Sequence, residues 1–174
     1  MRARYENGEI HYLEHGSELT VPVNCGLYEP SIARFRDRFY LTTRNDDHGY
    51  IWISENGLDF SEPRNWTFYN GSELGNYNTQ QHSVSHSDGL FLVYTRRGAN
   101  NDHVTRHRDP LFIARIDPDY LQVIRSSEQI LVPEFGAHLG RFGVTEISET
   151  ETWVTVTEWM QASSKETRTY EHVG

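Results

Sequence analysis

Apolar and polar residues alternate along this chain in short runs, and no window of about eleven residues or more repeats at the 3.6-residue period of a helix. The alternation is broken at regular intervals by turn residues. It predicts strands over 31–35 and 39–44 around Arg36-Asp37-Arg38, and a third over 50–54 (YIWIS). It predicts a second set over 83–86 and 90–96 around the hairpin turn Ser87-Asp88-Gly89, followed by LFIARI at 111–116. An outer strand is expected within 122–132, ended by Pro133, and two further strands over 143–148 and 152–159. LFLVYT is apolar on both faces, as expected of a strand sandwiched between neighbouring layers.

The pattern also repeats itself. SIARFRDRFYLTTR (31–44) aligns without a gap on SVSHSDGLFLVYTR (83–96) at an offset of 52 residues, so that Ile32 falls on Val84, Phe39 on Phe91, Leu41 on Val93 and Arg44 on Arg96. A third, looser copy, FGVTEISETETWVTVTEW, follows about 60 residues later. A period near 50 built from β-type segments implies an all-β fold of β-propeller blades, with about three repeats of roughly 50–60 residues. The expected organisation is a single domain over 1–174, with a partial outer blade at 3–23, blades at 28–70 and 78–133, and a partial blade at 141–160. The first segment lacks inner strands and the last lacks outer ones. Three blades are too few to close a ring, so the expectation is a partial propeller or a ring completed by oligomerisation, with a homodimer giving six blades.

The 174 residues suffice for one sizeable core. Aromatic residues make up 13%, a mix that suits β structure and sugar-facing surfaces. The net charge of −9 disfavours a nucleic-acid partner. A single cysteine excludes an internal disulfide and a CxxC metal knuckle. No apolar run is long enough for a membrane helix. The opening MRARYENGEI carries no apolar signal core, which fits a cytoplasmic protein or a piece excised from a longer secreted one.

Candidate chemistry concentrates in 78–112, which holds His82, His86, His103 and His107 with Arg96, Arg97, Arg106 and Arg108. A basic patch in an acidic chain points to an acidic small molecule or polyanionic sugar, because arginine grips carboxylates bidentately and histidine moves protons near neutral pH. His82 opens the innermost strand of its blade. The loop 97–109 leaves the second strand at the same end, because consecutive strands are antiparallel. His82, Arg96, Arg97, Asn101, Asp102 and His103 are therefore expected to converge with Glu29, Arg44 and Asp46 of the preceding blade, and Trp159 to line the same face as a sugar-stacking platform. Arg96 and Arg44 share a repeat position, which suggests a repeated structural ion pair, with Asp46 or Asp109 as partner for Arg96. Arg97, having no such partner, is the stronger ligand contact. His86 reads as solvated surface. His103 and His107 stand four apart, a zinc spacing on a helix, but their context is a polar loop; no cofactor is required, and a divalent metal stays open.

The segments YEPSIARFRDRFYLTTR leading into SENGLDF, then NTQQHSVSHSDGLFLVYTRRGANNDHVTRHRDPLFIARIDPD, then FGVTEISETETWVTVTEW resemble the sialidase-like, Asp-box β-propeller superfamily over roughly 25–160. SENGLDFSEP resembles a degenerate Asp-box, which is a folding turn rather than a catalytic one. The second motif is similar to polysaccharide-lyase and rhamnosidase-type propellers acting on uronic-acid polysaccharides. The resemblance implies a catalytic pair at His82 and His103, Arg97 as carboxylate binder and a tyrosine, for which Tyr94 and Tyr170 are candidates. The implied activity is cleavage of an acidic, uronic- or sialic-acid-containing glycan. Elimination would use His82 or His103 on a substrate held by Arg97, whereas hydrolysis would use Glu29 with Glu146 or Asp102. The alternative is a non-catalytic glycan-binding or assembly module, or an inactive propeller fragment.

Overall fold

The structure, a computed structural model, describes residues 1–23 and 25–160. Its elements are almost all antiparallel strands, and among the described residues there is no α-helix. None of the sheets closes into a barrel. A first hairpin pairs β1 (Arg2–Glu6) with β2 (Glu9–Glu14). A four-stranded meander follows: β3 (Tyr28–Phe35), β4 (Arg38–Arg44), β5 (Gly49–Ser54) and β6 (Arg64–Asn65). The second meander runs β7 (His82–His86), β8 (Gly89–Tyr94), β9 (Leu111–Asp117) and β10 (Gln122–Val123), with β11 (Gln129–Val132) also on β9. A last hairpin pairs β12 (Ala137–Ser148) with β13 (Glu151–Met160).

The period-two alternation divides each central strand between two cores. In β8, Leu90, Leu92 and Tyr94 face the first meander and meet Tyr40, Ile51 and Trp66, while Val93 faces the opposite way onto Leu139 and Phe142. Stacking the sheets face to face buries both sets. The repeat is therefore spatial as well as sequential. β7 lies beside β3, with the Ser83 amide donating to Ser31 Oγ (3.3 Å) and Ser85 Oγ donating to the Arg34 carbonyl (2.8 Å). β12 lies beside β7 in turn, with Val84 packed among Leu139, Phe142 and Val144, and the Leu139 amide donates to the Arg108 carbonyl of the loop after β8 (2.9 Å). The outer face of the first meander, Leu41, Tyr50 and Trp52, is covered by Leu19, Val21 and Leu27. Gly49 is required by close approach: a Cβ there would stand 2.4 Å from the Gln81 side chain.

The Asp-box-like segment is a folding turn, as expected. Asn56 Oδ1 accepts from the Leu58 and Asp59 amides (both 2.9 Å), Ser54 Oγ accepts from the Gly57 amide (2.9 Å), and Phe60 packs on the Trp52 cluster. β3 begins at Tyr28, three residues before the expected start, and β8 ends at Tyr94 rather than 96; two larger differences stand beside these. The last hairpin begins at Ala137, six residues earlier than expected. The outer strand expected over 122–132 is broken by a 3₁₀ turn at Arg125–Ser127, and there Ser127 Oγ takes over the ladder by accepting from the Arg115 amide (2.8 Å).

That break aims Glu128 inward. Its carboxylate receives Arg96 Nε (2.9 Å) and Nη2 (2.7 Å) as well as the Tyr94 hydroxyl (2.6 Å). Arg96 also donates to the carbonyls of Arg97 and Gly98 and lies 4.8 Å from the Phe112 ring centre. The structural ion pair expected of Arg96 exists, but its partner is Glu128 rather than Asp46 or Asp109, because the bulged outer strand reaches it first. Burial pushes the Glu128 carboxyl up; the bonds from Arg96 and Tyr94 outweigh that and hold it below its ordinary value. Its contribution to stability is thus present above the ordinary carboxylate range and is lost as pH falls through the depressed value. Replacing Glu128→Gln leaves a buried guanidinium uncompensated. The expected loss is about 3 kcal/mol at pH 7, narrowing towards pH 3, as measured by denaturant unfolding at both pH values.

Candidate functional site

The antiparallel order puts the starts of β3, β7 and β12 at the same end of the stack as the ends of β4, β8 and β13. At that end a cavity of about 200 Å³ is lined by Glu29, Gln80, Arg108, His138, Arg141 and Trp159, together with Gly140. Each of the three stacked sheets contributes, and Arg108 arrives from the loop that follows β8.

Arg108 is the centre of the cavity's electrostatics. Its Nη2 donates to the Asn78 carbonyl, while its buried Nε has no protein partner. Burial pulls its pKa down, and the neighbouring charges of Arg106 and Arg44 act in the same direction. A buried charged donor left unpaired costs free energy that an incoming acceptor would recover. Across the cavity, the His138 ring stands 5.6 Å from the Trp159 ring, and the Arg141 guanidinium lies 5.6 Å from the same indole. His138 Nδ1 is likewise buried without a partner. Burial, then the charge of Arg108, holds this imidazole below its usual pKa, so it is neutral at pH 7 and able to accept a proton. Gln80 shapes the wall by accepting from the Arg141 amide (2.9 Å).

Two residues named from the sequence, Glu29 and Trp159, line this cavity. Glu29, at a positive φ of 52°, accepts from Arg44 Nε (2.7 Å), and Arg44 reaches on to Asp46 (3.3 Å). His82 lies next to it at the start of β7. The ring is half-buried edge-on against Phe142 (5.3 Å), and Nε2 is without a protein partner. Burial lowers its pKa against the opposing effects of a backbone bond to Phe142 and the charge of Glu29.

The remaining expected residues lie elsewhere. Arg96 is committed to Glu128. Asn101 is buried and structural: its Nδ2 donates to the carbonyls of Arg96 (2.9 Å) and Asp109 (2.7 Å), pinning the loop. Arg97 has partners after all, Glu73 (3.2 Å) and the Asp47 carbonyl (3.0 Å), and lies 4.5 Å from the Tyr77 ring. His103 points away and meets Glu134 at 3.1 Å. Asp102 is exposed, 3.3 Å from His107, whose other ring nitrogen is 2.5 Å from the Tyr77 hydroxyl. His86, expected on solvated surface, instead bridges to the last hairpin through the Glu149 carbonyl (3.1 Å) and Thr152 Oγ1 (3.0 Å). Glu146 and His86 line a separate, larger groove between the sheets. Tyr94 is buried on Glu128, and Tyr170 lies outside the described residues. Among the described residues no group of three His, Cys, Asp or Glu side chains gathers at metal-binding spacing.

Sequence reasoning passed over Arg108, His138, Arg141 and Gln80. Arg108 stood in the basic patch that was singled out. The arginine run gave no means of telling which member turns inward. Asp109 beside it was likewise hidden: burial, with Glu134 nearby, raises its carboxyl to about 7, and Oδ1 has no partner.

Two titrations follow. In a histidine-resolved NMR experiment His138 should titrate below the ordinary imidazole value, and Arg108→Met should move it back up. For Asp109 the folded-state value is the raised one, so its contribution is full at acid pH and is lost as pH rises from about 4 through 7. Asp109→Asn should therefore stabilise the protein at pH 8 by about 2 kcal/mol and by much less at pH 5, as read from unfolding midpoints. Compared with protein-family models, curated proteins and solved structures, the chain matches none.

Proposed function

We propose that the chain is built of propeller blades and acts on an acidic glycan, with the cavity at the strand-start end as its site. The observation that carries this reading is the unpaired, buried Nε of Arg108 together with the unpaired, buried Nδ1 of His138 in one cavity, with an indole as its wall. Arg108 and Arg141 supply two cations for one carboxylate, and Trp159 supplies the apolar face on which a pyranose ring stacks. The cavity is smaller than the roughly 300–1,000 Å³ typical of drug-sized ligands, which suits a single uronic- or sialic-acid residue rather than a long stretch of chain. The blade reading rests on two meanders stacked at a 52-residue repeat, with their first strands adjacent.

Within this reading, elimination is better supported than hydrolysis. Among the described residues lining the cavity the only carboxylate is Glu29, already held by Arg44, and hydrolysis of a glycosidic bond calls for two. In an elimination Arg108 neutralises the uronate carboxylate and so acidifies the neighbouring C–H. His138, neutral and within the cavity, takes the C5 proton; the electron pair left behind forms the C4–C5 double bond as the C4–O glycosidic bond breaks, and the departing oxygen takes a proton from water. His82 is the second imidazole near Glu29. The carboxylate contact expected at Arg97 thus passes to Arg108 and Arg141, and the proton-transfer role expected at His103 passes to His138. The same cavity without turnover is a glycan-binding module.

Incubation with polyuronates, monitored by the ultraviolet absorbance of the unsaturated product, tests the reading. The parent protein is expected to show rising absorbance, with His138→Ala slowing it by about 10²–10⁴-fold while binding persists. Arg108→Ala should weaken binding by roughly 10–100-fold. Binding with no turnover in any form would assign the module reading. Failure of the parent to bind any uronate- or sialate-containing glycan would remove both.

A further inference from the structure

Arg97 and Asp102, expected at the cavity and absent from it, come together elsewhere, around Tyr77 and His107. Tyr77 lies in the connection between β6 and β7, and His107 in the loop that follows β8. The Tyr77 hydroxyl stands 2.5 Å from His107 Nδ1, and the other ring nitrogen, Nε2, stands 3.3 Å from Asp102 Oδ1. A carboxylate at Nε2 accepts the hydrogen of that nitrogen, which leaves Nδ1 without one and ready to accept the phenol proton. Phenol, imidazole and carboxylate then stand in the order of a nucleophile, its base and the group that orients the base. The Arg97 guanidinium lies 4.5 Å from the Tyr77 ring centre, held by Glu73 (3.2 Å) and the Asp47 carbonyl (3.0 Å). A cation in that place favours negative charge on the phenol oxygen. The backbone is strained to present the imidazole. Arg106 and His107 both stand at positive φ (58° and 54°), in the left-handed region that non-glycine residues avoid. Asn101 Nδ2 donates to the His107 carbonyl (3.3 Å), the His107 amide donates to the Val104 carbonyl (3.0 Å), and Arg106 Nη1 donates to Asn78 Oδ1 (3.2 Å), next to Tyr77. Strain of this kind persists only where the surroundings over-determine it, and it gathers at reactive sites. The His107 side chain is 25% exposed, so the relay is open to a small solute.

We propose that Tyr77 is a nucleophile that takes the acyl group of a small ester and passes it to water, with His107 as its base and Asp102 as the residue that positions His107. The phenol proton moves to Nδ1 as the Tyr77 oxygen bonds to the carbonyl carbon. The carbonyl electron pair shifts onto its oxygen and returns as the bond from carbon to the ester's leaving oxygen breaks. That leaving oxygen takes the proton from Nδ1. Water, giving a proton to the same nitrogen, then adds to the acyl carbon; the acyl–phenol bond breaks, and the phenol oxygen recovers its proton. Ester and water become acid and alcohol, with no other reactant. A phenol leaves more readily than an aliphatic alcohol, which makes the acyl-tyrosine a short-lived intermediate. None of the cavity residues takes part, so the binding or cleavage of a glycan, or the lack of either, leaves this proposal untouched.

Addition of para-nitrophenyl acetate to the full chain tests it, with nitrophenolate release followed in time and the acetylated residue located by peptide mass spectrometry. The expected record is an equimolar burst of nitrophenolate, then slower steady release, with the acetyl group on Tyr77. Tyr5, Tyr69 and Tyr120 serve as internal controls: they are 74%, 60% and 62% exposed, and among the described residues only the Tyr77 hydroxyl meets an imidazole nitrogen. His107→Gln should slow the burst by about 10²–10⁴-fold. Asp102→Asn should slow it less and leave its amplitude unchanged, since water can stand in for an exposed carboxylate. Tyr77→Phe should abolish the burst. The ranking of the tyrosines is read on the unaltered protein, so it does not depend on the folding of any variant. Acetylation that follows exposure, with Tyr5 ahead of Tyr77, would overturn the proposal. So would a burst that survives Tyr77→Phe, or one with no steady release after it.

Discussion

Everything in this fold follows from strands that are apolar on both sides. A strand with one buried face can lie on a surface; β4 and β8 cannot, because Tyr40 and Leu41, or Leu92 and Val93, point in opposite directions and are all buried. Burying a side chain of this size contributes on the order of 1.5–3 kcal/mol, and half of that is forfeited for any sheet left bare on one side. The meanders must therefore stack face on face. Stacking twisted sheets with their first strands adjacent gathers those strands along a line. The cavity lies at one end of that line, so its position is a by-product of packing rather than of any loop.

The second constraint is polar. The loop from Arg96 to Pro110 has to cross the end of the stack without stranding its backbone groups. Asn101 reaches the carbonyls of Arg96 and Asp109, Arg96 holds those of Arg97 and Gly98, and Glu128 fixes Arg96. Each bond is modest in net terms, about 1 kcal/mol, or more where a charge takes part. Together they over-determine the loop, and a loop held this firmly can afford an unpaired Arg108 Nε. Residues that seemed to be ligand contacts from their chemistry, Arg96 and Asn101, are the ones that do the holding.

This divides what the sequence made legible from what it hid. The duplication was visible because it lies in strand registers, where period two and the 52-residue offset are both short-range signals. Ser31 and Ser83 meet in space as they meet in the alignment. Topology likewise placed Glu29, His82 and Trp159 at one end of the stack, the end where the cavity lies, since antiparallel order alone determines that. Hidden were the choices made by side chains of equal chemistry. Arg96, Arg97, Arg106 and Arg108 are alike on paper. One is buried on Glu128, one lies over Tyr77, one reaches Asn78, and one turns into the cavity. The partner that decides for Arg96 lies 32 residues away on a strand whose break was not predicted. His138 was missed for a related reason: its strand begins six residues before the alternation becomes regular.

The cavity and the last hairpin belong to one arrangement. His138 pairs across the last hairpin with Trp159, on the side of that hairpin that also carries Trp153. Whatever packs on that side therefore also sets the orientation of the indole that walls the cavity. Among the described residues this sheet has two strands, which is marginal by itself, and an aromatic platform borne on it is held less firmly than Arg108 opposite, so ring stacking and the Arg108 contact answer to different parts of the fold.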